Sequence, residues 1–292
     1  MSRWMNPLTD NMNETLIKIL IASLLSVVPA FFWGYIFYMK QPEKKSVAAK
    51  VFLSGSLSVG TILLYKYLWQ FFPWINAFLY ANSFKDDIIG FSNFMLIPLD
   101  IVITFMLVGI IEEVTKFFAV TIIHEKQLSS ITDCIEFFII AALGFAFTEN
   151  SIYFYNIMMS RGTENLLMPF IFRSLFSTFA HVMFSGICGY YYGLAHFAGP
   201  LLEEKSNLVR WSIIGWIGKL FGYKKPLLIS QEKLIQGIVI ASILHAFFNI
   251  LLEMNWTFLL VPFLALGFIL LSSLFENKLV DKEYVLEDGA TA

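Results

Sequence analysis

Long apolar runs separated by short polar stretches dominate this chain. Crossing about 30 Å of hydrocarbon takes about 20 mainly apolar residues, and seven stretches meet that length, near 16–39, 47–72, 94–123, 132–157, 167–198, 234–253 and 257–276. The pattern predicts an all-α, polytopic transmembrane helix bundle of about seven spans in a single domain, residues 1–276. No repeat of fixed period and no linker divides it. The longest polar interval, 199–233, carries Lys205, Arg210, Lys219, Lys224, Lys225 and Lys233 between Trp211, Trp216 and Phe221. That mixture is expected of a basic amphipathic segment lying along the cytoplasmic membrane surface. Residues 277–292 read as a short disordered cytoplasmic tail. The first run follows Asp10 and Glu14 and has no small-residue cleavage site before Lys40, so it is expected to be a retained helix rather than a signal peptide.

Charge placement sets the expected orientation, because Lys and Arg near span ends are retained in the cytoplasm. Lys40, Lys44, Lys45, Lys50, Lys126 and the basic interval follow the odd-numbered spans, whereas the opposite loops hold only Lys85 and Arg161. The N-terminus is therefore expected outside and the C-terminus in the cytoplasm, in a multi-pass protein of the cell membrane. Composition agrees: 58% of the 292 residues are hydrophobic and 14% charged, with a mean hydropathy of +0.69. A formal net charge of −2 supplies no basic footprint for nucleic acid. Cys134 and Cys188 lie inside apolar runs, which argues against a disulfide framework or a thiolate metal site.

Several ionisable residues sit inside the apolar runs, where a charge near the bilayer centre costs about 2.5–3.5 kcal/mol and usually marks a functional path. The third run contains Gly109-Ile-Ile-Glu112-Glu113-Val-Thr-Lys116. On a helix Lys116 reaches back toward Glu112 at i−4 and Glu113 at i−3, while the two glutamates diverge by about 100°. One of them can pair with Lys116 and the other face a cavity. The fourth run adds Glu149, the fifth Arg173 and His181, and the sixth His245 with Asn249 on the same face. Convergence of these helices would put a carboxylate and two imidazoles at one point, a suitable set for Zn²⁺ with an open fourth position. Glu112 or Glu113 would then serve as general base toward water, and Asn249 would donate to a developing oxyanion. Direct activation of water by the same residues without a metal is equally compatible with the sequence. A structural ion pair at Glu112, Glu113 and Lys116, or a snorkelling Arg173, is the bland alternative.

These residues resemble the PrsW family of intramembrane proteases, which is distantly similar to the CAAX prenyl endopeptidases and the bacteriocin-processing enzymes. The resemblance rests on Glu112-Glu113-x-x-Lys116, on Phe145-x-x-x-Glu149, on His181 followed by Ser185, Gly186 and Gly189, and on His245-x-x-x-Asn249. Pro29 and Trp33 in the first run extend it, so that it covers the chain to about residue 275. It implies peptide-bond hydrolysis of a membrane-spanning protein, with Glu112 or Glu113 as base and Glu149, His181 and His245 as metal ligands. A membrane-spanning anti-sigma factor is the implied substrate class. Two other functions fit intramembrane Glu and His residues, namely a proton-coupled transporter using them as a relay and a non-catalytic membrane scaffold.

Overall fold

The computed structural model describes residues 7–38, 45–92, 95–197 and 225–276. Among them the chain forms helix α1 (Pro7–Tyr38), α2 (Lys45–Leu68) and a short α3 (Ala77–Ala81). An antiparallel hairpin of β1 (Ile88–Ser92) and β2 (Met95–Pro98) follows. Then come α4 (Leu99–His124), α5 (Ile131–Arg161), α6 (Leu167–Phe172), α7 (Thr178–Phe197), α8 (Lys225–Glu253) and α9 (Leu260–Phe275). The expected all-α membrane bundle is what forms. Six helical stretches among the described residues are long and apolar enough to cross a membrane. The seventh expected run corresponds to α4, whose apolar sequence is broken by Glu112, Glu113 and Lys116. The interval 199–224 and the tail 277–292 lie outside the described residues, and Lys225–Lys233 begins α8.

Helix α5 is the axis of the bundle. Ser130 caps it by accepting from the Asp133 amide at 3.0 Å, and Asp133 Oδ2 in turn accepts from the Ser129 amide at 2.9 Å and its hydroxyl at 2.5 Å. The run Cys134–Ala146 is buried on every side, as expected of a helix that is apolar all round and surrounded by others. Helices α1, α2 and α7 pack directly against it, and α8 leans on α7 and α4. Both cysteines are free and buried.

Small residues decide how closely these helices approach, as is usual in membrane bundles, where packing rather than hydrophobic exclusion drives association. At the α2–α5 crossing, Gly55 and Gly144 bring backbone onto backbone. A Cβ at Gly55 would lie 2.0 Å from the Ala141 carbonyl oxygen, and one at Gly144 would lie 2.0 Å from that of Phe52. Gly109 of α4 does the same against α8, with a Cβ only 2.6 Å from the Ser242 carbonyl oxygen.

The expected fifth span is not one regular helix. Between α6 and α7, Arg173–Ser177 forms a π-helical turn, which accommodates one extra residue and leaves carbonyls without their usual partners. Side chains take two of them. Thr178 Oγ1 donates to the Arg173 carbonyl at 2.9 Å, and Trp33 Nε1 of α1 donates to the Ser174 carbonyl at 2.8 Å.

Replacing Gly144 with Val would force the α2–α5 backbones apart, and overpacking of this kind costs about 1–3 kcal/mol. Thermal unfolding in detergent is expected to show a clear loss of stability for Gly144→Val, with little change for a lipid-facing control such as Ile122→Val, where Ile122 is 76% exposed.

Candidate active site

Four helices meet at one polar cluster inside the bundle: α4 brings Glu112, Glu113 and Lys116, α5 brings Glu149, α7 brings His181 and Ser185, and α8 brings His245. The convergence expected from the sequence is present. The two adjacent glutamates have separate surroundings because their side chains diverge around α4. Glu113 is the one paired with Lys116, at 2.6 Å, and both residues are 1% exposed. The same oxygen, Glu113 Oε1, accepts from His245 Nδ1 at 2.8 Å, and Oε2 accepts from Ser185 Oγ at 3.3 Å. A buried carboxylate is thus matched by one cation and three donors, which is what removal from water demands.

This arrangement fixes the His245 tautomer. A carboxylate only accepts, so Nδ1 carries the proton and Nε2 of the neutral ring is left with its lone pair. That lone pair points to the neighbourhood of Glu112, whose Oε2 stands 3.6 Å from Nε2. Glu112 Oε2 is buried and has no hydrogen-bond partner, although the side chain is 17% exposed. Phe184 stacks on the His245 ring at 5.1 Å between centroids, and His181 meets it edge-on at 5.2 Å.

His181 is held from both sides. The Lys116 ammonium has only protons to give, so it donates to Nδ1 at 3.0 Å, and the ring proton resides on Nε2, which donates to Glu149 Oε2 at 2.9 Å. Phe145 lies 5.6 Å from the His181 ring and under Lys116, whose Nζ is 4.8 Å from the Phe145 centroid.

Glu149 does not snorkel alone toward an interface. Its Oε1 pairs with Arg173 at 2.9 Å, and Arg173 belongs to a closed loop of contacts. Arg173 Nε donates to Asn150 Oδ1, Asn150 Nδ2 donates to Thr178 Oγ1 at 3.1 Å, and Thr178 returns to the Arg173 carbonyl. The guanidinium also lies over the Tyr153 ring, 4.6 Å from its centroid. Arg173, left open between acid pairing and snorkelling by the sequence, pairs with the acid. Asn249 is half-buried one turn beyond His245 and makes no hydrogen bond to the cluster among the described residues. Ser185 was visible only as a companion of His181, and nothing in the sequence linked Asn150 to Thr178 across 28 positions.

Ligand atoms of Glu112, His181 and His245 lie within 4.8 Å of one another. The fit to a divalent metal is good at His245 and Glu112: two ligands at about 2.0–2.1 Å in tetrahedral geometry stand about 3.4 Å apart, close to the 3.6 Å between Nε2 and Oε2. Those two atoms make no hydrogen bond with each other. The Glu113–His245 contact is moreover the carboxylate–histidine support that ligating imidazoles generally carry. Glu149, expected among the ligands, touches His181 but is not one of this trio.

Comparison with known proteins agrees with this geometry. Residues 43–274 match the family described as PrsW family intramembrane metalloprotease. Over 193 residues the chain is 30% identical to Protease PrsW of Clostridioides difficile (strain 630), covering 63% of this chain and 70% of that protein. No solved structure matches.

Removing the Lys116 charge would strand Glu113, and breaking one side of a buried pair costs about 3–5 kcal/mol. Lys116→Met is therefore expected to lower the unfolding temperature far more than Glu112→Gln, whose carboxyl has no such partner; equal melting curves for the two variants would contradict the pairing.

Proposed function

Because the chain belongs to the PrsW family of intramembrane proteases, we propose that its peptidase centre is the Glu112, His181 and His245 trio and that Glu112 handles the proton of the attacking water. The protein is a multi-pass membrane peptidase acting on membrane-protein substrate. The observation that carries the proposal is Glu112 Oε2, buried without a hydrogen bond at 3.6 Å from an oriented His245 Nε2.

Glu112, His181 and His245 would hold a divalent metal, Zn²⁺ being the ion this ligand set suits, and such an ion supplies a water whose pKa is brought toward about 7. The protein's own residues do the rest. Glu113 keeps the His245 proton on Nδ1 and the Nε2 lone pair toward the centre. Lys116 neutralises Glu113 and braces His181. Glu112 contributes Oε2 to the centre and lines a cavity of about 400 Å³ between α2 and α4. Its second oxygen is placed to take the proton of a water entering from that cavity and to return it to the leaving amine. Glu149, anchored by Arg173, holds His181 in plane and accepts the Nε2 proton that ligation would release. Asn249 stays outside this scheme. The substrate is a membrane-spanning protein, and a membrane-spanning anti-sigma factor is the class that the family resemblance favours. Neither the proton-relay nor the scaffold reading has an observation of its own in its favour.

General-base removal costs about 10²–10⁴ in rate. Cleavage of single-span membrane proteins by the purified chain is expected to fall by that factor in Glu112→Gln, which folds normally, and to be abolished by a strong chelator and restored by Zn²⁺. Undiminished cleavage by Glu112→Gln would overturn the assignment.

A further inference from the structure

The gap between α2 and α4 is open along its length. Helix α2 is drawn onto α5 by Gly55 and Gly144, and α4 onto α8 by Gly109, so neither closes on the other. Two cavities follow one another in the gap, of about 650 Å³ and about 400 Å³. From α2 the first is lined by Leu53, Ser54, Leu57, Ser58 and Thr61 and the second by Ile62, Tyr65, Lys66 and Trp69, a single stripe at helical spacing. The facing stripe of α4 runs from Val108 through Glu112 and Thr115 to Ile122. Glu112 and Thr115, one turn apart, mark the junction of the two cavities.

We propose that this groove docks the transmembrane helix of the substrate and lays it alongside Glu112. The inference rests on the peptidase reading above and names where its substrate sits. Length is the first support. From Lys50 to the end of α2 a helix rises about 27 Å, close to the about 30 Å of hydrocarbon that one span must cross.

Surface chemistry is the second. Ser54, Ser58, Thr61, Thr115 and Ala119 are the small residues that let a second helix approach closely in a membrane. Their hydroxyls are already spent within their own helices: Ser54 donates to the Val51 carbonyl at 2.8 Å, Ser58 to Gly55 at 2.7 Å, Thr61 to Ser58 at 2.7 Å and Thr115 to Ile111 at 2.6 Å. An apolar helix can cover them without stranding a donor. Leu57, Phe118 and Ile122, 67%, 50% and 76% exposed, form the lips.

Charge is the third. Lys50 lies at one end of the groove and Lys66 near the other, and neither is in an ion pair among the described residues. Their placement complements an apolar segment flanked by acidic residues. The groove between α1 and α2, of about 570 Å³, is similar in size but is lined by Phe31, Tyr35, Phe52 and Phe147 and holds no ionisable acid or lysine. It serves as the internal comparison.

The test is photo-crosslinking of the full chain in phosphatidylcholine vesicles, with a photoreactive amino acid replacing Leu57, Phe118 or, as control, Phe31. The probe is a synthetic helix of about 20 Leu and Ala residues with Asp at both ends, set against the same helix with Lys at both ends. Labelling from positions 57 and 118 is expected, several-fold stronger for the Asp-flanked helix, with little from position 31, and Lys50→Glu combined with Lys66→Glu is expected to reverse the flank preference. Equal labelling from all three positions, lipid adducts alone, or no labelling overturns the proposal. Cleavage of single-span proteins is scored separately in the same vesicles. Labelling in the groove by a chain that cleaves nothing sinks the peptidase centre and leaves the groove standing; cleavage without labelling in the groove sinks the groove alone.

Discussion

A carboxylate and an ammonium enclosed together at membrane depth set the terms for the rest of this bundle. Glu113 and Lys116 are almost wholly buried, and either one alone would carry a prohibitive desolvation cost. Their pairing is not sufficient by itself, because a carboxylate has more acceptor capacity than one lysine can fill. Ser185 from α7 and His245 from α8 complete the shell, while Lys116 spends a second proton on His181. The neutralisation of one charge therefore specifies the relative positions of α4, α7 and α8. It also gives each histidine a defined proton position. The centre's chemistry and its architecture come from the same set of contacts.

The division of labour between adjacent glutamates follows from helix geometry. A turn of about 100° per residue sends Glu113 into the bundle and Glu112 to the edge of the α2–α4 gap. The first is saturated with partners and contributes orientation. The second keeps an unsatisfied oxygen, and an orphaned buried polar atom in a native structure calls for an explanation. Proton transfer beside a shared metal accounts for it, whereas a purely architectural role does not.

Much of this was legible in the sequence, and the limits have physical causes. Apolar run lengths located the helices, and the Glu112, Glu113, Lys116 spacing required that one acid pair with the lysine. Which acid pairs is decided by His245 and Ser185, far away in the chain, so local spacing could not settle it. The start of the third run was read as helix from residue 94, but Met95–Pro98 is a strand of a hairpin, because hydropathy averaged over a long window does not separate four extended apolar residues from helical ones. Arg173 carried two readings until its partner on α5 was known. The π-turn at Arg173–Ser177 left no mark in composition, since it is stabilised by donors from Trp33 and Thr178 rather than by its own residue types.

That turn bears on how the fold tolerates insertions and deletions. A π-turn absorbs a surplus residue, and deleting one position within 173–177 would allow an unbroken α-helix from Leu167 onward. The regularised helix would be locally better bonded, yet everything beyond it would be rotated by about 100° and shifted by about 1.5 Å. His181 would leave Glu149 and Lys116, and Ser185 would leave Glu113. The irregularity thus acts as a phase setting, under which a locally favourable length change is functionally forbidden and the five-residue stretch is constrained in length more tightly than in composition.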